Sequence, residues 1–391
     1  MDDTALVIWD PALVGYDFGE GHPMAPLRID LTARLCRDLG LFERVDVVDA
    51  GVADDDLLRT VHSAGLVEAV RRASADPRAD VGHGVGTDDT PAFAGMHESA
   101  ARVFQGSVDL ARAIAAGDID HGVNFAGGLH HATTDAASGF CVYNDCAGAV
   151  QALLDAGVER VVYVDTDVHH GDGTEQVFWD EPRVTTVSVH ESGRTLFPGT
   201  GYPTDTGGPA APGTAVNVAL PAGTGDAGWL RALAAVVGPV VREVRPQVLV
   251  SQHGCDTHVL DPLAHLRVSV DGMRAAAEML HDLAHQHSDG RWLALGGGGY
   301  ELVDVVPRAW AHLVGVAAHA PVEPTTAVPQ SWLDHVTAVL GQPGPRRMTD
   351  GEHAGFATWE SGYDPADPVD QAVMATRKAV FPLLGLDPWF D

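Results

Sequence analysis

Apolar positions along the chain fall into short runs separated by longer stretches with helical spacing. Runs rich in β-branched residues occur at 5–9 (ALVIW), 161–164 (VVYV), 184–189 (VTTVSV), 248–251 (VLVS) and 292–295 (WLAL). Each run is long enough for a buried strand and too short for a helix. Between them, Ala101, Phe104, Val108, Ala111 and Ala115 recur three or four apart, and Gly117 follows as a stop. Residues 145–156 repeat that design and end at Gly157, just before the next run. Such alternation predicts an α/β fold, a mainly parallel sheet with helices on both faces. The pattern breaks after Ala320, at PVEPTTAVPQ and GQPGPRR, and a last helix is predicted to open at Asp367-Pro368, a cap followed by proline. Residues 1–320 therefore form the expected main domain, and 321–391 a helical appendage packed on it.

Composition narrows the function classes. The chain has 391 residues, 45% of them hydrophobic, which is ample material for a core. Acidic residues outnumber basic ones by 54 to 24, for a net charge of −30, and Lys378 is the single lysine. That balance argues against nucleic acid, whose phosphates are held by Lys and Arg, and favours encounter with basic partners. No run approaches the ~20 apolar residues that span a bilayer, so no membrane association is expected. The acidic start MDDTALVIWD does not read as a secretory signal. Cys36, Cys141, Cys146 and Cys255 show no CxxC spacing, so a reducing, cytoplasmic setting is expected. Nothing in the pattern specifies an oligomeric state.

The chemistry gathers where strands end. After VNF come Gly127, Gly128, His130 and His131; after VVYV come Asp165, Asp167, His169, His170 and Asp172. After VLVSQ comes Gly254-Cys255-Asp256, and after WLAL come four glycines and Tyr300. Ligands of open α/β sheets bind beyond the carboxyl ends of the strands, so four such clusters point to one site. Asp167 and His169 are two apart, which on extended chain turns both side chains the same way, and Asp256 can join them from a neighbouring strand. Two carboxylates and one imidazole leave coordination positions open, as a catalytic metal requires; zinc, Fe(II) and Mn(II) all suit these donors. Adjacent histidines point apart, so His130 and His131 are assigned to proton movement beside a water at the metal. Asp165 and Asp172 are the carboxylates available to orient them. Tyr300, carried inward by the glycines, can donate to a developing oxyanion. His170 is left as a structural neighbour.

These residues resemble the zinc-dependent histone deacetylase superfamily. The motifs GGLHHA (127–132), GFCVYND (139–145), DTDVHHGDG (165–173), FPGTG (197–201), GCD (254–256) and GGGGY (296–300) stand in that family's order, and HPMAPLR (22–28) and TDDTPAF (87–93) match its N-terminal loops. The segment QHGCDTHVLDPLAHL and the C-terminal region look most like its bacterial acetoin-utilisation branch. The resemblance implies the arginase/deacetylase fold, with a single parallel eight-stranded sheet. It implies Asp167, His169 and Asp256 as ligands of Zn2+, with Fe2+ as the alternative. By the same carry-over His131 is general base and then acid, His130 its electrostatic partner, and Tyr300 the residue that polarises an acetyl carbonyl. Gly139, Phe140 and Phe197 would line a narrow tunnel for a lysine stem, Asp89 would hold substrate backbone at the rim, and Arg28 would line an internal acetate pocket. A structural K+ is implied at Asp165, Asp167, His169, Ser188 and Val189. A second such site maps near Phe178, Glu181 and Val184, with glutamate in place of a smaller residue.

The implied substrate is an acetylated protein lysine, with acetylated acyl-CoA synthetases as one class of target. A rival on the same fold removes acetyl groups from polyamines, which an acidic mouth would suit. A binuclear manganese ureohydrolase would need further Asp and His ligands, and a catalytically dead acetyl-lysine reader would not need every catalytic position kept. Other features read blandly. His281, His285 and His287 contain an i, i+4 pair, but with no carboxylate motif beside them they are assigned to an exposed helical face. Cys255 lacks a base, Cys141 reads as packing, and His253 as a polar core residue.

Overall fold

A computed structural model describes residues 5–391. Eight strands form one sheet, every pairing parallel: β1 Ala5–Ile8, β2 Asp46–Val48, β3 His121–Asn124, β4 Val161–Asp165, β5 Val184–Glu191, β6 Ala215–Leu220, β7 Val248–Gln252 and β8 Trp292–Leu295. Their order across the sheet is β2-β1-β3-β8-β7-β4-β5-β6. Every residue of β3, β4, β5, β7 and β8 is buried, as expected of strands covered on both faces. The five strand runs read from the sequence, and the VNF run, all lie in this sheet.

Two strands lack a sequence signal of that kind. β2 is only DVV, exposed throughout, at one edge. β6 (AVNVAL) forms the other edge, and helix Pro368–Leu384 packs over it. Thr376 Oγ1 of that helix donates to the Asn217 carbonyl at 2.6 Å, so a side chain covers an edge acceptor. The helix starts where the Asp367 cap and following proline predict, with Asp367 Oδ1 accepting from Val369 N. Helix Met96–Ala116 ends at Gly117 in the left-handed region, and Asp145–Asp155 ends just before Gly157, also left-handed. These two helices pack on each other, while Leu27–Asp38, Val306–Ala317, Val270–His287 and Asp226–Val244 pack side by side as another layer.

The strand order explains the convergence of motifs. β3, β8, β7 and β4 are consecutive neighbours, although the chain visits them far apart. All run the same way, so the segments after their last residues emerge side by side at one edge of the sheet.

Three buried histidines tie stability to pH. Burial depresses His62 and His312 to about 4 and His253 to about 3. His62 Nε2 accepts from Asn144 N at 2.9 Å, while its Nδ1 faces the Thr133 carbonyl at 3.0 Å, so protonation removes an acceptor that the fold uses. A depressed histidine leaves stability undiminished above its ordinary pKa of about 6.5 and lowers it progressively as pH falls from there to the folded value. Urea unfolding at pH 5 should therefore show a loss on the order of 2 kcal/mol per histidine relative to pH 7.5. An unchanged midpoint would contradict this.

Candidate metal and catalytic site

The loop after β4 leaves the sheet as Asp165-Thr166-Asp167-Val168-His169, with Asp165, Asp167 and His169 buried. His169 Nδ1 lies 3.1 Å from Asp167 Oδ1 and 3.1 Å from Asp256 Oδ2. One donor atom from each of the three falls within 4.8 Å of the others, which makes them a possible ion-binding group. Asp256, fully buried in the segment after β7, is steadied through Oδ1 by Val168 N at 3.1 Å. Asp167 Oδ2 accepts from Gln252 Nε2 at 2.8 Å and from Gly298 N at 2.9 Å.

The donor set fits a divalent cation. Burial opposes charge on His169, yet its hydrogen bonds to Asp167 and Asp256 lift it to about 10. Two buried carboxylates thus call for positive charge at the point their oxygens share with the imidazole, and a dication answers that demand better than a proton does. Glycine is required around the set: a Cβ on Gly254 would strike Asp167, and one on Gly298 would strike Asp256.

Beside this group stand the paired histidines, each oriented by its own carboxylate. His130 Nδ1 meets Asp165 Oδ2 at 2.7 Å, and His131 Nδ1 meets Asp172 Oδ1 at 2.7 Å. Their Nε2 atoms are 3.1 Å apart. Burial disfavours charge on both, but Asp165, Asp167 and Asp172 raise His130 to about 9. For His131, burial and the His130 charge outweigh Asp172 and lower it to about 4. The dyad therefore couples a charged ring, whose Nε2–H is directed at His131 Nε2, to a neutral ring that keeps its lone pair at that atom.

Tyr300 and Met24 line the same cavity as the two histidines, Asp167 and His169. Burial, then Asp256 and Asp167, push the Tyr300 hydroxyl well above its usual range, so it remains an O–H donor. Phe140 packs edge-on to Tyr300 at 5.7 Å, and Phe197 edge-on to His131 at 5.1 Å and to His169 at 6.2 Å. Phe197 remains 45% exposed. Gly139 and Phe140 both have positive φ, 54° and 65°. Asp89, on the exposed rim, fixes that turn by accepting from Gly139 N at 2.6 Å. Arg28 is buried; its Nη1 donates to the carbonyls of Gly297 at 2.7 Å and Gly299 at 3.3 Å. It borders an inner cavity that shares Met24 with the one beside the paired histidines. Ser188 pairs in register with Asp165 across β4 and β5, with Val189 next to it; the Ser188 hydroxyl is engaged by His190 Nδ1 at 2.8 Å.

Several supporting residues were assigned no chemical role from the sequence. Tyr163 donates its hydroxyl to Asp165 Oδ2 at 2.7 Å from within β4, where it reads as a core aromatic. Asp145 holds the loop before the dyad, accepting from Gly128 N at 3.0 Å and Leu129 N at 2.8 Å. The sequence placed it at the start of a helix and at the end of the GFCVYND motif, with no role assigned. Asn144 binds the His130 and Ala132 carbonyls at 3.0 and 2.9 Å. His170 turns away from the metal group toward Thr200 Oγ1 at 2.8 Å and Glu175 Oε2 at 3.2 Å. Glu181, in the second implied K+ site, is ion-paired with Arg183 at 2.6 Å. Cys255 and Cys141 are buried, and burial raises both thiols well above their usual range.

The eight-stranded parallel fold and the buried Asp-His-Asp group define a class of protein. The histone deacetylase domain family matches residues 22–317, and the chain belongs to that family. It is 39% identical to the acetoin utilization protein AcuC of Bacillus subtilis (strain 168), over 84% of this chain and 85% of the relative. It is 35% identical to the AcuC of Staphylococcus xylosus, over 85% and 87%, and to that of Staphylococcus aureus (strain MSSA476), over 89% and 90%. Among the described residues no helix is long and apolar enough to cross a membrane.

Proposed function

We propose that the chain hydrolyses the acetyl amide of acetyl-lysine side chains in proteins, with zinc, or alternatively Fe(II), held by Asp167, His169 and Asp256. The observation that carries this reading is the histidine dyad, each ring fixed by a carboxylate at 2.7 Å, beside a buried three-donor metal group. A divalent ion at that group supplies Lewis acidity toward an acyl oxygen and lowers the pKa of bound water. His131, neutral and oriented by Asp172, takes a proton at Nε2 from the attacking water and returns one to the departing amine. His130 keeps its charge through Asp165 and favours the negative charge that develops nearby. Tyr300 donates its hydroxyl to the oxygen that becomes an oxyanion. Phe140 and Phe197 flank the lysine stem at the turn made by Gly139, Asp89 holds the substrate backbone, and Arg28 lines the cavity into which acetate departs. A K+ ion belongs beside Asp165, Asp167, His169, Ser188 and Val189, where it reinforces the loop; with the Asp165 and Ser188 side chains already engaged, their backbone carbonyls are the donors left to it.

Tyr300→Phe removes that donor without emptying the site, and should cut turnover by about 10² to 10³ while metal content stays unchanged. Steady-state kinetics alongside metal analysis checks this. Four unpaired cysteines support a reducing cytoplasmic setting. The relatives carry the name acetoin utilization protein, and we extend that setting to this chain, with acetylated acyl-CoA synthetases proposed as one class of target.

The test sets an acetyl-lysine peptide against acetylspermidine under identical conditions. Higher kcat/KM on the peptide supports the proposal. Preference for the polyamine would overturn the substrate, and no turnover of either by metal-loaded protein would overturn the reaction.

A further inference from the structure

The i, i+4 pair His281 and His285 does not lie on a bare helical face. The fold brings His121, the first residue of β3, and His319, just after helix Val306–Ala317, against it. The six ring-to-ring distances within this quartet run from 4.4 to 5.4 Å, so the imidazoles sit roughly at the corners of a tetrahedron. One ring nitrogen from each lies within 4.8 Å of the other three. His281 and His285 approach through Nε2 at 3.1 Å. Nitrogens bound tetrahedrally at about 2.0–2.1 Å stand ~3.4 Å apart, so this edge is nearly that of a filled site.

Two further observations point to a ligand. His121 is buried, and its Nδ1 faces the Ala317 carbonyl at 2.7 Å. A carbonyl only accepts, so Nδ1 carries the proton, the tautomer in which metal-binding histidines coordinate through Nε2. His319 has φ of 51°. Its N–H bonds the Val316 carbonyl at 3.0 Å and Ala320 N bonds the Gly315 carbonyl at 2.9 Å, which marks 319 as the left-handed position that closes a helix. Glycine is the unstrained residue there, so a histidine is placed at a conformational cost that a side-chain role offsets.

We propose that His121, His281, His285 and His319 form a second, non-catalytic metal site that takes Zn2+ or a similar imidazole-seeking transition ion. It lies at the amino ends of the strands, across the sheet from the catalytic group. It ties the start of β3, helix Val270–His287 and the turn after Val306–Ala317 into one unit. His285 and His319 are exposed and His281 half-buried, so an ion enters from solvent. With imidazoles as the four donors, hard ions such as Mg2+ or Ca2+ are disfavoured.

The test uses tag-free chain, stripped with chelator, reloaded with Zn2+, desalted and analysed for bound metal. The wild-type chain should hold one zinc ion beyond the catalytic one. His281→Ala/His285→Ala and His319→Gly should each lose that ion and keep deacetylase turnover. His319→Gly also relieves the backbone, so loss of zinc in that variant is not a failure to fold. Asp256→Asn should keep the remote ion, and Co2+ bound to it should show the intense visible bands of tetrahedral coordination, so the two sites fail or succeed separately. A wild-type chain without the extra ion, or variants that retain it, would overturn the site in favour of four imidazoles packed against Trp292 and one another.

Discussion

Asp256→Asn should lower acetate release by at least about 10³-fold and release the catalytic metal. Asparagine is close to isosteric, and its carbonyl oxygen can still accept from Val168 N, the 3.1 Å bond that steadies the loop. What disappears is one of two buried negative charges that face His169 Nδ1. Asp256 is fully buried, so water cannot substitute for the missing charge. Removing it weakens the hold on a dication far more than it disturbs packing. Circular dichroism should remain native while metal analysis shows loss at that site. Full activity in a chain that no longer binds the metal would contradict the assignment.

The second large effect separates proton transfer from metal binding. His131→Asn should cut kcat by about 10² to 10⁴, the usual yield of general acid–base catalysis, with catalytic metal retained. The asparagine amide can replace the Nδ1–H···Asp172 bond of 2.7 Å but offers no basic nitrogen toward the cavity. Its neighbour should respond differently. His130 is linked to Asp165, and Asp165 also accepts from Tyr163, so changes there act through charge rather than through the proton itself. A pH profile distinguishes the two, because only the loss of His131 should erase the limb that reports the base. An unaltered profile in His131→Asn would remove this residue from the chemistry.

Much of this site was legible because parallel sheets concentrate function at strand ends. The apolar runs of β3, β4, β7 and β8 were visible, and the residues that follow each of them were chemically conspicuous. What the sequence could not display was adjacency: only the order β3-β8-β7-β4 makes neighbours of segments far apart in the chain. Residues whose work is to hold others were hidden for a related reason. Tyr163 reads as core and Asp145 as the first residue of a helix, and each becomes recognisable only when its partner comes within hydrogen-bonding distance. β2 was invisible because three exposed residues, DVV, carry no burial pattern. The histidine pair on helix Val270–His287 stood alone in the sequence because the residues gathered around it, His121 and His319, are contributed by two other elements. Spacing within one helix can show two ligands; it cannot show that a strand and a helix terminus complete the set.

The most direct measurement is acetate release from an acetyl-lysine peptide by chain stripped of metal, and again after zinc is restored. No turnover above background is expected in the stripped chain and full recovery on reloading, with none in reloaded Asp256→Asn. Undiminished turnover by the stripped chain would contradict a metal-dependent reaction.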